Sequence, residues 1–211
     1  MHIEPRPEQQ TSWYLRPFFW NQRRKYGQVL DAARLWARSP KLFVAVATLY
    51  GVIDRRGSPI EPSLRSLITV RVSQINHCPF CVDLNSATLL KRGAGWDKVV
   101  SLRDWRDSPI YSDRERSALD YAEEMTVSGP GVRDETVDAL RDHFSDDAIV
   151  ELTALIAFQN LSSKFNAALG VPPQGFCERP ATATAAATGT VDGEAASDTA
   201  RWVSEQNAGE I

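Results

Sequence analysis

The chain has 211 residues and a formal net charge of −3, so its charge gives no reason to expect nucleic acid as a partner. A hydrophobic fraction of 43% is ordinary for a globular protein, and the length fits one domain with long ends or at most two small domains. The longest apolar run, Leu42 to Tyr50, is far short of the roughly 20 residues that a membrane-spanning helix needs, so no membrane partner is expected. The polar, proline-interrupted start and the small number of cysteines favour a cytoplasmic protein over a secreted, disulfide-stapled one.

Nearly every segment has the apolar spacing of a helix, which predicts an all-α fold. The first helix is expected around residues 26–38, and the second from residue 40 to about residue 53. The linker 54–59 has the composition of a turn, and a third helix is expected over about 62–74.

The hexapeptide His77-Cys78-Pro79-Phe80-Cys81-Val82 sets two cysteines at the start of a fourth helix, which is expected to run to Arg92. Proline is favoured at the first helical position because its missing N–H would have no partner there, so Cys78 is the expected N-cap and Cys81 a third-position residue. Both sulfurs would then feel the free amides and the positive end of the helix, which favour the thiolate. Since the thiolate is the reactive form, the pair predicts redox chemistry.

Downstream, Ser112 and Glu115 have the spacing of a capping box and open a helix that is expected to end near Thr126. A short helix over about 134–144 and a long, largely apolar helix over about 146–169 should complete the core.

The two ends of the chain differ in composition from the middle. Residues 1–24 are expected to form an aromatic and basic arm, whose Trp13, Phe18, Phe19 and Trp20 would pack across a neighbouring subunit. Residues 25–175 are the expected helical domain. Residues 176–211 have too little apolar surface to offset ordering entropy and are expected to be a low-complexity, disordered tail.

Residues 67–86, LITVRVSQINHCPFCVDLNS, resemble the alkylhydroperoxidase D and carboxymuconolactone decarboxylase family. Three further stretches, 39–49, 112–126 and 149–170, are similar to other helices of that family. The resemblance implies an AhpD-like helical bundle with a CxxC at the start of a central helix, assembled as a homo-oligomer: a trimer, or dimers and hexamers. It also implies a thiol-dependent oxidoreductase of peroxides or disulfides, reopened by an external thiol reductant protein, with no cofactor beyond the redox-active disulfide.

The resemblance assigns roles to the two cysteines, with Cys81 attacking the peroxide and Cys78 resolving. Helix-start geometry alone would favour Cys78 as the nucleophile, so the order stays open. Active members also carry a histidine four residues after the second cysteine and a glutamate twelve before the first. Those positions are Asn85 and Ser66 here, which implies a degenerate proton relay and weak peroxidase turnover.

Two further residues are candidates for acid–base catalysis. His77 titrates nearest neutrality and adjoins Cys78, although it could simply cap the preceding helix. Glu151 lies in an otherwise apolar helix, where burial would raise its pKa; it could equally lie at a subunit contact or pair with an arginine such as Arg71. Asp83, near the start of the CxxC helix, is more typical of an acid that complements the helix dipole.

Other interpretations of the cysteine pair remain. One is that the pair forms half of a zinc site, with His77 as a nearby additional ligand. Structural zinc needs four ligands, and the remaining cysteine, Cys177, is not part of a second CxxC. Cys177 is expected to be an unreactive thiol. A non-catalytic, oligomeric ligand-binding or scaffold protein is another. A lyase of the carboxymuconolactone decarboxylase type is less favoured, because the chain offers no aligned histidine for it.

Overall fold

Nine α-helices lie in residues 1–129 and 131–178, the part of the chain that the computed structural model describes. They are α1 (Arg16–Tyr26), α2 (Asp31–Trp36), α3 (Pro40–Ile53), α4 (Pro62–Ile75), α5 (Pro79–Lys91), α6 (Trp96–Val100), α7 (Asp113–Thr126), α8 (Asp134–Arg141) and α9 (Asp146–Ala168). Short 3₁₀ helices cover Glu8–Gln10, Trp13–Leu15 and Ser101–Asp104. The predicted all-α fold is confirmed.

The predicted helix starts are confirmed where a capping signal marks them. Proline occupies the first helical position of α3, α4 and α5, as expected for a residue that lacks an N–H. Ser112 and Glu115 form the reciprocal capping box of α7, and the Ser145 hydroxyl accepts a hydrogen bond from the Ala148 amide at the start of α9.

The N-terminal region differs from the prediction. Residues 16–26 form α1, and Gly27 ends this helix in the left-handed region at φ 76°, so the helix expected over 26–38 is reduced to the short α2. Phe19 is 1% exposed and packs edge-on against Phe43 of the same chain, not across a neighbouring subunit. Trp13 and Trp20 remain 77% and 61% exposed, so a subunit contact on their side stays a prediction.

The segment 96–104 was not predicted as helix. It forms α6 and the 3₁₀ helix that follows, and it buries Val99 and Leu102 completely. A helix of five residues is too short for its apolar spacing to stand out in the sequence.

Helix α4 lies at the centre of the bundle, with α5, α7 and α9 packed around it. The larger hydrophobic core fills the space between α4, α7 and α9. A second core joins the cysteine pair to α1, α2 and the first half of α3. The CxxC therefore sits where the N-terminal helices meet the bundle.

No helix among the described residues is both long and apolar enough to cross a membrane. The predicted tail lies outside the described residues from position 179 onward. Its first two residues belong to the packed structure: Cys177 is fully buried and Phe176 lies against the ring of Tyr26.

Candidate active site

Cys78 and Cys81 form a disulfide at the N-terminus of α5, with their Cα atoms 5.2 Å apart. Cys78 is the N-cap, as predicted, and its sulfur accepts a hydrogen bond from the Cys81 amide at 3.2 Å. The chain enters this helix through His77, whose backbone lies in the left-handed region at φ 49°. The sulfur of Cys78 is thus placed against the unpaired amides of a helix start, where negative charge is favoured.

A cavity of about 270 Å³ adjoins the disulfide and is lined by Cys81 but not by Cys78. Both cysteines are almost fully buried, at 3% and 0% exposure. A small molecule in the cavity therefore meets the sulfur of Cys81 first. This volume is close to the lower end of the range for small-molecule sites, about 300–1,000 Å³.

A third of the residues that line the cavity are aromatic, and these come from five helices. They are Phe18, Tyr26, Trp36, Phe43, Tyr50, Phe80 and Phe158, from α1, α2, α3, α5 and α9. Trp36 is held in place by stacking on Phe165, with ring centroids 3.5 Å apart. Such aromatic side chains suit an apolar organic molecule.

The ionisable side chains that line the cavity are Lys25, Tyr26, Tyr50 and Cys81. Burial, together with the nearby charge of Asp54, raises the pKa of Tyr50 well above its ordinary value. The described lining contains neither a histidine nor a carboxylate. The wall therefore lacks the usual general acid–base groups that titrate near neutrality.

Asn166 of α9 provides a polar contact to the reacting pair. Its amide nitrogen lies 3.4 Å from the sulfur of Cys81, and the residue is 2% exposed while lining the cavity. This contact was not predicted, because nothing in the sequence tells which polar residue of the long helix faces the cysteines.

The two relay positions lie in different environments. Asn85 lines the cavity, and its amide donates a hydrogen bond to the Ser73 hydroxyl at 3.2 Å. Ser66 does not line the cavity; its hydroxyl accepts a hydrogen bond from Arg92 at 3.0 Å, and that arginine also binds Asp54. Only the first position could therefore act directly on a bound molecule.

His77 and Glu151 both lie outside the cavity lining. The His77 side chain is exposed at the turn between α4 and α5. Glu151 forms an ion pair with Arg55 and accepts a hydrogen bond from the Ser58 hydroxyl at 2.8 Å. The hydrogen bond from Arg55 lowers the pKa of Glu151, so the expectation that burial would raise it is wrong.

The arginine suggested as a partner for Glu151 binds another acid. Arg71 lies 2.6 Å from a carboxylate oxygen of Glu123, which also accepts a hydrogen bond from the indole of Trp105. Arg71 is therefore a paired structural cation and not the partner of Glu151.

Asp83 has a role that the sequence did not reveal. This carboxylate is 1% exposed and accepts three backbone N–H groups, from Gln174 at 2.8 Å, Phe176 at 2.8 Å and Cys177 at 2.7 Å. It ties the segment 174–177 to the helix that carries the cysteines. Burial raises the pKa of the Cys177 thiol to about 12, in keeping with the unreactive thiol predicted for it.

Among the described residues, no group of three or more histidine, cysteine, aspartate or glutamate side chains is arranged to hold a metal ion.

Comparison with known proteins places this geometry in context. Residues 40–124 match the Carboxymuconolactone decarboxylase family. YnjA, an uncharacterized protein of Escherichia coli (strain K12), is 45% identical over 166 residues, which cover 79% of this chain and 91% of that protein. YdfG, an uncharacterized protein of Bacillus subtilis (strain 168), is 32% identical over 114 residues, 54% of this chain and 78% of that protein.

Solved structures share the fold. A protein of unknown function from Agrobacterium tumefaciens, described as a candidate antioxidant defence protein AhpD, superimposes with a TM-score of 0.62 at 29% identity, over 65% of this chain and 94% of that one. The debrominase Bmp8 superimposes with a TM-score of 0.73 at 24% identity, over 82% of this chain and 92% of its own.

Proposed function

Since the chain belongs to the carboxymuconolactone decarboxylase family, we propose that it is a thiol-dependent oxidoreductase that reduces a peroxide through Cys78 and Cys81. The observation that carries this proposal is the position of the disulfide: it lies at a helix N-terminus, with Cys81 facing an apolar cavity and Cys78 behind it. The arrangement supports Cys81 as the attacking residue and Cys78 as the resolving one, the order that the family resemblance implies.

The reaction proceeds in two steps. The Cys81 thiolate attacks the terminal oxygen of a hydroperoxide; an S–O bond forms, the O–O bond breaks, and the alkoxide leaves and takes up a proton as the alcohol. The Cys78 thiolate then attacks the sulfur of the Cys81 sulfenic acid, and hydroxide leaves and is protonated to water. An external dithiol returns the disulfide to the reduced pair by thiol–disulfide exchange.

A small substrate suits this site better than a protein disulfide. The sulfurs are nearly inaccessible from outside, and the space beside Cys81 holds about 270 Å³. A protein disulfide would have to reach the sulfurs through that space, whereas a small organic peroxide fits within it. Reduction of a small disulfide is the alternative within the same chemistry.

The test uses the fully reduced protein in a Cys177→Ser background, which leaves the two proposed redox cysteines as the only thiols. After stoichiometric cumene hydroperoxide, we expect the mass to fall by two hydrogens. Cys78→Ser should instead stop at a sulfenic acid on Cys81, trapped by a 1,3-diketone probe. The matched Cys81→Ser protein should show neither product.

Two outcomes contradict this proposal. If no disulfide forms in the parent protein, the non-catalytic, ligand-binding interpretation is favoured. If the sulfenic acid is trapped on Cys78 in the Cys81→Ser protein instead, the order of attack is reversed.

We further propose that the protein is a homo-oligomer in which the outer face of α3 packs against a second copy. Leu42, Leu49 and Val52 are each about half exposed on this helix, and no charged residue lies between Lys41 and Asp54. Exposed apolar patches beyond a few hundred Å² mark interfaces. In a two-fold contact, the same patch is buried on both copies. A stable protein–protein interface buries about 800 Å² of surface on each partner.

Light scattering after size-exclusion chromatography tests this assembly. Leu49→Lys should lower the mass to that of the monomer, because it would bury a charge in the contact. Ala139→Lys, at an exposed position on α8, serves as the matched control and should keep the parent mass. An unchanged mass for Leu49→Lys would exclude this face as the contact.

A further inference from the structure

Asn166 approaches the reacting pair from a different helix than the one that carries the cysteines. Its amide nitrogen donates to the sulfur of Cys81 at 3.4 Å, within a site where both residues are almost fully buried. A hydrogen bond to sulfur is weak when the sulfur is neutral, and it strengthens when the sulfur carries charge. The contact therefore gains most of its strength when Cys81 is a thiolate.

The other end of the same amide is unsatisfied. Among the described residues, no donor reaches the Oδ1 atom of Asn166, although this oxygen is buried. Leaving a buried acceptor without a partner is unfavourable, and most buried polar atoms avoid it. Gln159, about two helical turns earlier on α9, also lines the cavity, but its amide donates to Ser73 and not to sulfur.

The chemistry of a thiolate fixes the orientation of the Asn166 amide. A thiolate can only accept hydrogen bonds, so the NH₂ group must point to sulfur and Oδ1 must point away from it. Since Asn166 lines the cavity, a bound molecule with a hydrogen-bond donor can satisfy that oxygen.

We propose that Asn166 binds both reactants: its N–H stabilises the Cys81 thiolate, and its oxygen accepts the O–H of the hydroperoxide. This inference rests on the proposed function. The oxygen that carries the hydrogen is the one attacked by sulfur, so the hydrogen bond holds the reacting atom beside Cys81. Dialkyl peroxides and disulfides have no such hydrogen, and the site should discriminate against them.

The sulfur contact is tested without any peroxide. In the fully reduced protein, the alkylation rate of Cys81 by iodoacetamide is followed against pH by peptide mass spectrometry. Asn166→Leu should raise the thiolate pKa by about one unit, so that alkylation near neutral pH slows about tenfold. The charged or titratable groups that line the cavity with Cys81, namely Lys25, Tyr26 and Tyr50, are the same in both proteins, as is Cys78.

Gln159→Leu is the matched control, because it removes an amide of the same cavity that does not touch sulfur. It should leave the alkylation profile of Cys81 unchanged. Where Asn166→Leu fails to fold, Asn166→Ala replaces it and should raise the thiolate pKa to a similar extent, because it also removes the N–H donor without adding a charge. An unaltered profile in the folded variant overturns the sulfur contact.

The substrate contact is tested by the rate of disulfide formation with cumene hydroperoxide, corrected for the thiolate fraction. We expect a further loss of about tenfold or more in Asn166→Leu, since a buried acceptor bonded to the reacting O–H is removed. Equal corrected rates in parent and variant overturn this part. If the parent does not react with hydroperoxide at all, the proposed function and the substrate contact both fail, while the alkylation profile still decides the sulfur contact.

Discussion

Replacing Asp83 by asparagine should release the segment 174–177 from α5. One carboxylate oxygen accepts the N–H groups of Phe176 and Cys177, and the other accepts that of Gln174. An amide keeps one acceptor oxygen but turns an NH₂ group toward the third donor, so that bond is lost and the remaining two lose their charge.

The magnitude follows from these three bonds. A hydrogen bond to a charged group contributes about 1.5–3 kcal/mol, against about 1 kcal/mol between neutral groups. Losing one bond and weakening two should therefore cost about 3–4 kcal/mol of unfolding free energy at neutral pH. The loss is smaller when the segment detaches alone, because the rest of the bundle then stays folded.

Two measurements separate global from local loss. Urea unfolding gives the change in unfolding free energy, and the reaction of the oxidised protein with a thiol reagent reports Cys177, its only free thiol. In the parent this thiol is fully buried and its pKa is raised to about 12, so it should react very slowly. In Asp83→Asn it should react at least tenfold faster.

Asp138→Asn is the matched control, because this aspartate is exposed and pairs with Arg141 on the next turn of its own helix. It should change the unfolding free energy by less than about 0.5 kcal/mol. A loss below about 1 kcal/mol in Asp83→Asn, together with an unreactive Cys177, would refute the reasoning, because charged hydrogen bonds would then be contributing almost nothing.

Burial opposes the ionisation of Glu123, but the charge of Arg71 and its neighbouring donors outweigh this and lower the pKa. The stability that such a group contributes is present above the ordinary glutamate pKa and is lost as the pH falls through the folded-state pKa. In urea titrations, Glu123→Gln should therefore lower the unfolding free energy by about 1–3 kcal/mol at pH 7 and by much less at pH 3. Equal losses at the two pH values would contradict this prediction. Asn85→His should speed disulfide formation by hydroperoxide, because it puts an imidazole in the cavity, whereas Ser66→Glu alone should not; the reverse ranking would contradict the assigned positions. Trp36→Ala removes a stacked ring from the cavity wall and should lower the unfolding free energy by about 3–5 kcal/mol, measured by thermal or urea unfolding. Trp20 is exposed, so Trp20→Ala should not cause a loss of this size.

Local signals account for what the sequence predicted well. Proline before α5 and the Ser112 capping box act within one turn of the chain, and the helix starts they predict are those observed. The N-cap position of Cys78 belongs to the same class. The packing of α1 against these helices is a tertiary property, which explains why residues 1–24 were predicted to form an arm outside the helical domain.

Polar residues within an apolar helix indicate that a specific partner exists, but they do not identify that partner. Glu151 and Asn166 both stand out in α9, and both have specific partners. Which partner each one has depends on the rotation of α9 against its neighbours, so the sequence could not tell that the first would meet Arg55 and the second Cys81. The cavity escaped prediction for the same reason, because five helices contribute to its wall.

Asp83 recognises the segment 174–177 through main-chain N–H groups, which every residue type except proline provides. The hydrogen bonds to Asp83 therefore do not depend on which side chains stand at positions 174, 176 and 177. Among homologues, we expect the aspartate to be kept, proline to be avoided at positions 174, 176 and 177, and glycine to be kept at position 175, where the backbone lies in the left-handed region at φ 74°. A search for relatives that share this closure should therefore follow positions 83 and 175 rather than the full sequence of the segment.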